Sequence, residues 1–181
     1  AAVPRGLGPV GTVLALWGVT PARDGAAALS LNTDLALAAQ ELAAELGAGL
    51  VLHCSSAAVY EPCARPEGGA WCEPRAGGRI NAYGAAKLAM EQALADWAAR
   101  HPGGPRALSL RLANVVGADS LFAAIGAGAD HVTLDRFDDG EGPWRSYLTL
   151  PDLAHVAGRL AGTQRTAALP RVLNVAAPRP V

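Results

Sequence analysis

The chain has 181 residues, 51% of them hydrophobic and 17% charged, with a formal net charge of −1 at pH 7. That suffices for one compact domain with its own core. The sequence shows no basic face for nucleic acid, no apolar run long enough to span a bilayer and no signal-peptide core, and it reads as a soluble, cytoplasmic protein without nucleic-acid or membrane partners.

In chain order, residues 12–17 (TVLALW) form a continuous apolar run, the pattern of a strand buried on both faces. Residues 32–46 predict a helix, with Asn32 or Thr33 as its cap, Asp34 in its first turn and Gly47 beyond its end. Residues 50–53 (LVLH) predict a second buried strand. Residues 57–80, rich in Pro, Gly and Arg, predict a long loop. A helix follows over 83–100, stopped by Pro102, Gly103 and Gly104. Residues 107–112 predict a third strand. Residues 113–143 are mixed and Gly-rich, with a short strand at 131–134 and another at 145–149. Pro151 suits the first position of a helix running to about Ala161, with Asp152 favourable in its first turn. Residues 171–175 predict the last strand.

Alternating strands and helices imply an α/β, Rossmann-like parallel sheet with helices on both faces. Residues 1–112 would form the core, and 113–181 a small substrate-side region with a returning helix and strand. Such sheets bind ligands at the carboxyl ends of their strands. Here those ends lead into residues 18–20, 55–60 and 113–117, where small and polar side chains gather.

Two superficially attractive features carry no site. Residues 6–11 (GLGPVG) match GxGxxG, but no strand precedes them, an apolar strand rather than a helix follows, and Pro9 removes a backbone donor. Cys54, Cys63 and Cys72 are odd in number and lack CxxC spacing, so neither a disulfide framework nor a metal site is expected.

Lysine usage is more informative. Of 15 basic residues only Lys87 is lysine. Arginine presents a planar fork and lysine a compact ammonium on a flexible stem, so position 87 needs an ammonium. Tyr83 lies four residues earlier, on the same helix face. A positive charge beside the phenol should lower its pKa and make it a usable general base. Ser55 and Ser56 end the preceding strand, where a hydroxyl can meet a substrate oxygen; by themselves they also suit a turn.

A strand ending Ser55-Ser56-Ala57-Ala58-Val59-Tyr60, then Tyr83-Gly-Ala-Ala-Lys87, resembles the extended short-chain dehydrogenase/reductase family, the NAD-dependent epimerase/dehydratases. Residues 14–20 (LALWGVT) resemble the family's cofactor-side segment. Residues 110–117 (LRLANVVG) resemble its LRxxNVYG, and 145–154 (RSYLTLPDLA) its RDYIHVxDLA. The resemblance implies Ser56, Tyr83 and Lys87 as catalytic residues, Tyr83 as general acid or base. It implies an NAD or NADP site at Leu16, Trp17, Gly18, Ser55, Tyr83 and Lys87. Ser56, Asn114 and Arg145 would meet the substrate, a nucleotide-linked sugar or similar hydroxyl or carbonyl compound. Arg145 would grip the diphosphate, or else make a surface ion pair. Family dehydratases carry Asp-Glu where Ala57 and Ala58 stand, so epimerisation or simple oxidoreduction is implied instead. A homodimer through helices 33–46 and 84–100 is implied, with Ala38, Ala39, Ala43, Ala85, Ala89 and Ala93 allowing close packing. Against the family, the N-terminal half-sheet with its GxxGxxG turn is missing, and Trp17 replaces a small residue. The chain therefore reads as an enzyme fragment, a part completed by another chain, or a truncated, non-catalytic binding or assembly module.

Overall fold

The computed structural model describes residues 8–20, 26–62, 71–117, 125–128 and 145–178, with residues 130, 131, 133, 136, 138, 140 and 142 between them. Residues 132 and 134 of the expected strand at 131–134, Cys63, and residues 6 and 7 of the glycine-rich hexamer lie outside the described residues. Residues 8–11 are irregular and lead into the strand that begins at Thr12.

Four parallel strands form the main sheet in the order β1, β2, β3, β6: β1 Thr12–Ala15, β2 Leu50–Ser56, β3 Arg106–Leu112 and β6 Val172–Val175. A second, two-stranded parallel pair, β4 Asn114–Val115 and β5 Tyr147–Leu148, continues from the end of β3. Helices α1 Leu31–Glu45 and α2 Ala82–Arg100 cover one face of the main sheet, and α3 Leu150–Ala161 covers the other. This is the doubly covered Rossmann-like sheet expected from the alternation.

Strand alternation sorts the core. On the α3 side Leu50, Leu52, Leu108 and Leu110 are wholly buried, with Leu153, Val156 and Leu160 packed against them. On the other side Val51 meets Ala39 and Ala43 of α1, while Ala107 meets Met90 and Leu94 of α2. Further along that second face, toward the carboxyl ends, the inward residues become His53, Ser55, Ser109 and Arg111. All four are buried. A buried polar run needs partners, and these fix the site described below.

Several local expectations are corrected. The first strand is not buried on both faces: Leu14, Leu16 and Trp17 are 48%, 45% and 48% exposed. Among the described residues β1 is an edge strand, and α3 reaches it only where the Thr12 hydroxyl donates to the Ala161 carbonyl. β2 extends to Ser56, beyond the apolar run that marked it. Asn32 does not cap α1. The cap position is Ser30, which makes no side-chain cap bond, and Asn32 is buried in the first turn. Its Oδ1 accepts from the Val19 N–H, and its Nδ2 donates to the Val19 and Leu29 carbonyls. The segment after β1 is thereby pinned to α1. Pro151 is the second residue of α3, since Leu150 is the first; Thr149 caps it, its hydroxyl accepting from the Asp152 N–H and donating to the Asp152 carboxylate. Asp152 is thus a helix-start residue. The alanine stripe also divides. Ala39 and Ala43 cover the sheet and are not available to a partner, whereas Ala38, Ala85 and Ala89 are exposed. No helix among the described residues is long and apolar enough to cross a membrane.

Candidate active site

The site forms where β2 runs out beneath the start of α2. Asn81 caps that helix, its side chain accepting from the Gly84 N–H at 2.8 Å. Tyr83 and Lys87 follow one turn apart on the face turned toward β2. The Lys87 side chain is 1% exposed; its Nζ donates to the Cys54 carbonyl at 2.8 Å and lies 5.7 Å from the centre of the Tyr83 ring. Ser56 ends β2 and caps a short 3-10 turn, Ala57–Val59, its hydroxyl accepting from the Ala58 N–H at 3.1 Å. The Tyr83 phenol faces the same hydroxyl, which acts to lower its pKa. Ser56, Tyr83 and Lys87 therefore come together.

The helix can come this close because residue 84 is glycine. A Cβ there would stand 2.0 Å from the Ala58 carbonyl oxygen. Gly18 plays a similar part on the other side. A Cβ on it would lie 3.0 Å from Asn32 Oδ1 and 3.1 Å from Lys87 Nζ, so glycine keeps the approach to the ammonium open. Leu16 and Trp17 precede it at the end of β1, both half-exposed. A cavity with room for about one water lies among Trp17, Asn32, His53 and Cys54.

The electrostatics differ from expectation. Tyr83 is pushed up, not down. Burial is the main cause and a charge on Cys54 would add to it, while the Ser56 hydroxyl works in the opposite direction. One donor of the Lys87 ammonium goes to the Cys54 carbonyl, and none of the hydrogen bonds among the described residues joins it to the phenol. Burial also lowers Lys87, which Cys54 and Glu91 counter. The Ser55 hydroxyl, expected on the cofactor side, is buried on the opposite side of the strand from Ser56 and donates to Glu91 Oε1 at 2.6 Å.

Asn114 opens β4, two residues beyond Leu112, the register partner of Ser56. Its side chain donates to the Ser146 carbonyl at 3.3 Å. Arg145 is exposed and precedes β5, whose Tyr147 pairs with Asn114. Both sit at the carboxyl-end rim of the sheet.

Sequence reasoning missed the polar network behind this site. Arg111 gives two parallel hydrogen bonds to Glu91, at 3.0 and 2.6 Å, and donates to the Tyr60 hydroxyl and the Glu73 carbonyl. Tyr60 in turn donates to Asn174 Oδ1 on β6 and stacks on Trp71. An arginine inside the apolar strand LSLRL was the available signal, because a buried guanidinium requires a carboxylate. Glu91, one turn after Lys87, is that carboxylate. A groove of about 550 Å³ runs along this flank of α2, past Gln92, Arg111, Arg171 and Val172, away from Tyr83.

A second buried pair lies under α1. The His53 Nε2–H donates to Gln40 Oε1 at 2.9 Å, Gln40 Nε2 bonds the Pro105 carbonyl, and His53 Nδ1 has no protein partner. Burial, helped by Lys87, lowers His53 from its ordinary 6.5 to about 4. Above pH 6.5 the imidazole is neutral folded and unfolded; below it the unfolded chain takes the proton first. Stability should therefore fall by roughly 3 kcal/mol as pH drops from 6.5 to about 4. Glu73, held low chiefly by the Asn174 N–H, adds a loss of the same sign. Urea unfolding of wild type and His53→Gln across this range separates the two, and an unchanged slope in the variant would refute the assignment to His53.

A family model described as the NAD dependent epimerase/dehydratase family matches residues 17–176. The chain belongs to that family. No curated protein sequence matches it. Among solved structures, it is similar to a UDP-glucose 4-epimerase from Thermus thermophilus in complex with NAD, at TM-score 0.72 and 20% identity, over 95% of this chain and 58% of that one. It is similar to RMD from Pseudomonas aeruginosa complexed with NADPH (TM-score 0.67, 22% identity, 94% and 62%). A Bacillus cereus UDP-N-acetylglucosamine 4-epimerase gives TM-score 0.66 and 16% identity over 94% and 58%. At these identities the likeness shows the shared fold. The chain spans about three fifths of the length of these structures.

Proposed function

We propose that this chain carries the acid–base half of an NAD(P)-dependent enzyme that epimerises, oxidises or reduces a nucleotide-linked sugar. The observation that carries the reading is the meeting of Tyr83, Lys87 and Ser56 at the carboxyl end of β2, with the chain's single lysine buried there. Tyr83, half-exposed and pointing from the start of α2, moves a proton to or from a substrate oxygen. Ser56, whose hydroxyl the phenol faces, holds that oxygen. Lys87 has spent one of its three N–H donors on Cys54 and offers the others to a hydroxyl-bearing ligand. The open approach over Gly18 fits a cofactor ribose and nicotinamide there, beside Leu16 and Trp17. NAD or NADP supplies the hydride chemistry when bound. Asn114 and Arg145, at the rim, face the nucleotide end of the substrate. Ala57 and Ala58 offer no acid for removing a hydroxyl group, which favours epimerisation or oxidoreduction over dehydration. In the proposed homodimer, Ala38, Ala85 and Ala89, with the partly exposed Ala93, remain to meet a partner.

The test is NADH titration onto the folded chain, followed by its fluorescence. Saturable binding is expected, weakened about tenfold or more by Lys87→Ala, since charge-assisted hydrogen bonds are worth about 1.5–3 kcal/mol. Tyr83→Phe should bind nearly as wild type. No binding at millimolar NADH would overturn the reading. It would support a second one, a non-catalytic module, which the bulky, half-exposed Trp17 beside Gly18 favours.

A further inference from the structure

Two side chains one turn apart on α2 engage consecutive residues of β2. Lys87 Nζ donates to the Cys54 carbonyl at 2.8 Å, and the Ser55 hydroxyl donates to Glu91 Oε1 at 2.6 Å. The next residue along the strand is Ser56. Glu91 is itself held from β3, where Arg111 meets both carboxylate oxygens. The two side chains of this pair are only 5% and 8% exposed. Such a planar, two-bond contact fixes direction as well as distance.

We propose that Glu91 is a positioning residue of this site: clamped by Arg111, it locks the helix carrying Tyr83 and Lys87 to the strand end carrying Ser56. The inference rests on the reading of Lys87 as a functional group given above.

The titratable groups facing Lys87 are His53 and Cys54 from β2, and Tyr83 and Glu91 from α2. From α1 comes only the neutral Asn32, whose Oδ1 borders the same space over Gly18. Burial pushes His53 down and both Cys54 and Tyr83 up, so all three are neutral near pH 7. Burial also works against the Lys87 charge. Against that burial Cys54 and then Glu91 raise Lys87, and with Cys54 neutral Glu91, one turn further along α2, is the carboxylate among these groups.

Because Lys87 is the only lysine, the full chain made with lysine labelled at Cε and Nζ gives one resonance, which reports this group alone. In Glu91→Gln, which keeps the shape and removes the charge, the Lys87 titration should move to lower pH. In Ser55→Ala, which keeps every charge, the Nζ resonance should shift and its ammonium protons should exchange faster with water. A merely structural role would lower the unfolding midpoint of both variants and leave Lys87 unmoved. Lys87 titrating at the wild-type pH in folded Glu91→Gln would overturn the proposal. If Glu91→Gln does not fold, an unmoved resonance in Ser55→Ala does so. Neither measurement uses a cofactor, so failure of NADH to bind would count against the proposed enzyme without mimicking either result.

Discussion

Gly84→Ala should destabilise the chain by about 1–3 kcal/mol or more, although alanine is the better helix former. In an exposed helix interior the exchange would stabilise by about 1 kcal/mol. Here a Cβ would sit 2.0 Å from the Ala58 carbonyl oxygen and 3.3 Å from Ile80 Cβ. The nearest obstacle is backbone, in a short 3-10 turn whose first residues are anchored by the Ser56 side chain, so no rotamer change relieves it. Either α2 lifts away from the turn or the turn distorts. Both separate Tyr83 from Ser56. Urea denaturation measures the first consequence; the Tyr83 titration, which the neighbouring Ser56 hydroxyl lowers, should move further up as the second. A variant as stable as wild type would show that the close approach of helix and turn does not exist.

Gly84 also illustrates what the sequence could and could not disclose. The architecture was legible because its signals are local and periodic. Leu50, Leu52, Leu108 and Leu110 sit in short apolar runs, and 83–100 is a long helix bounded by Pro and Gly. Tyr83 and Lys87 were legible through spacing and through the uniqueness of the lysine. The errors fall where the decisive neighbour is distant in sequence. Ser55 looked like Ser56 until the pleat placed them on opposite faces and gave Ser55 to Glu91. Asn32 looked like a cap, but its partners are at residue 19. The direction of the Tyr83 shift depended on burial, which no spacing reveals, and on a lysine turned toward a backbone carbonyl. Arg111 stands within the strand segment LRLANVVG, whose apolar periodicity marks a strand but not the partner its charge requires. A guanidinium that must be buried is itself a prediction that a carboxylate lies within reach.

Arg111→Met should cost about 3–5 kcal/mol, the penalty of leaving Glu91 buried without its partner. Burial opposes the Arg111 charge, but the hydrogen bonds to Glu91, with a smaller contribution from Tyr60, more than offset this and raise it above its ordinary value. The same substitution strips a donor from the Tyr60 hydroxyl and the Glu73 carbonyl. The double variant Arg111→Met, Glu91→Leu should recover most of the loss in urea denaturation, because no charge is then stranded and apolar groups of similar volume replace the pair. Failure to recover would mean that the pair is chiefly a stabilising device. Recovery would mean that the fold does not need it for stability, and the reason for an ion pair inside LSLRL must be sought in what it holds. That is the end of β2. The recovered double variant should therefore be well folded and still show Lys87 titrating at lower pH than in wild type, separating the stability of this sheet from the state of its single lysine.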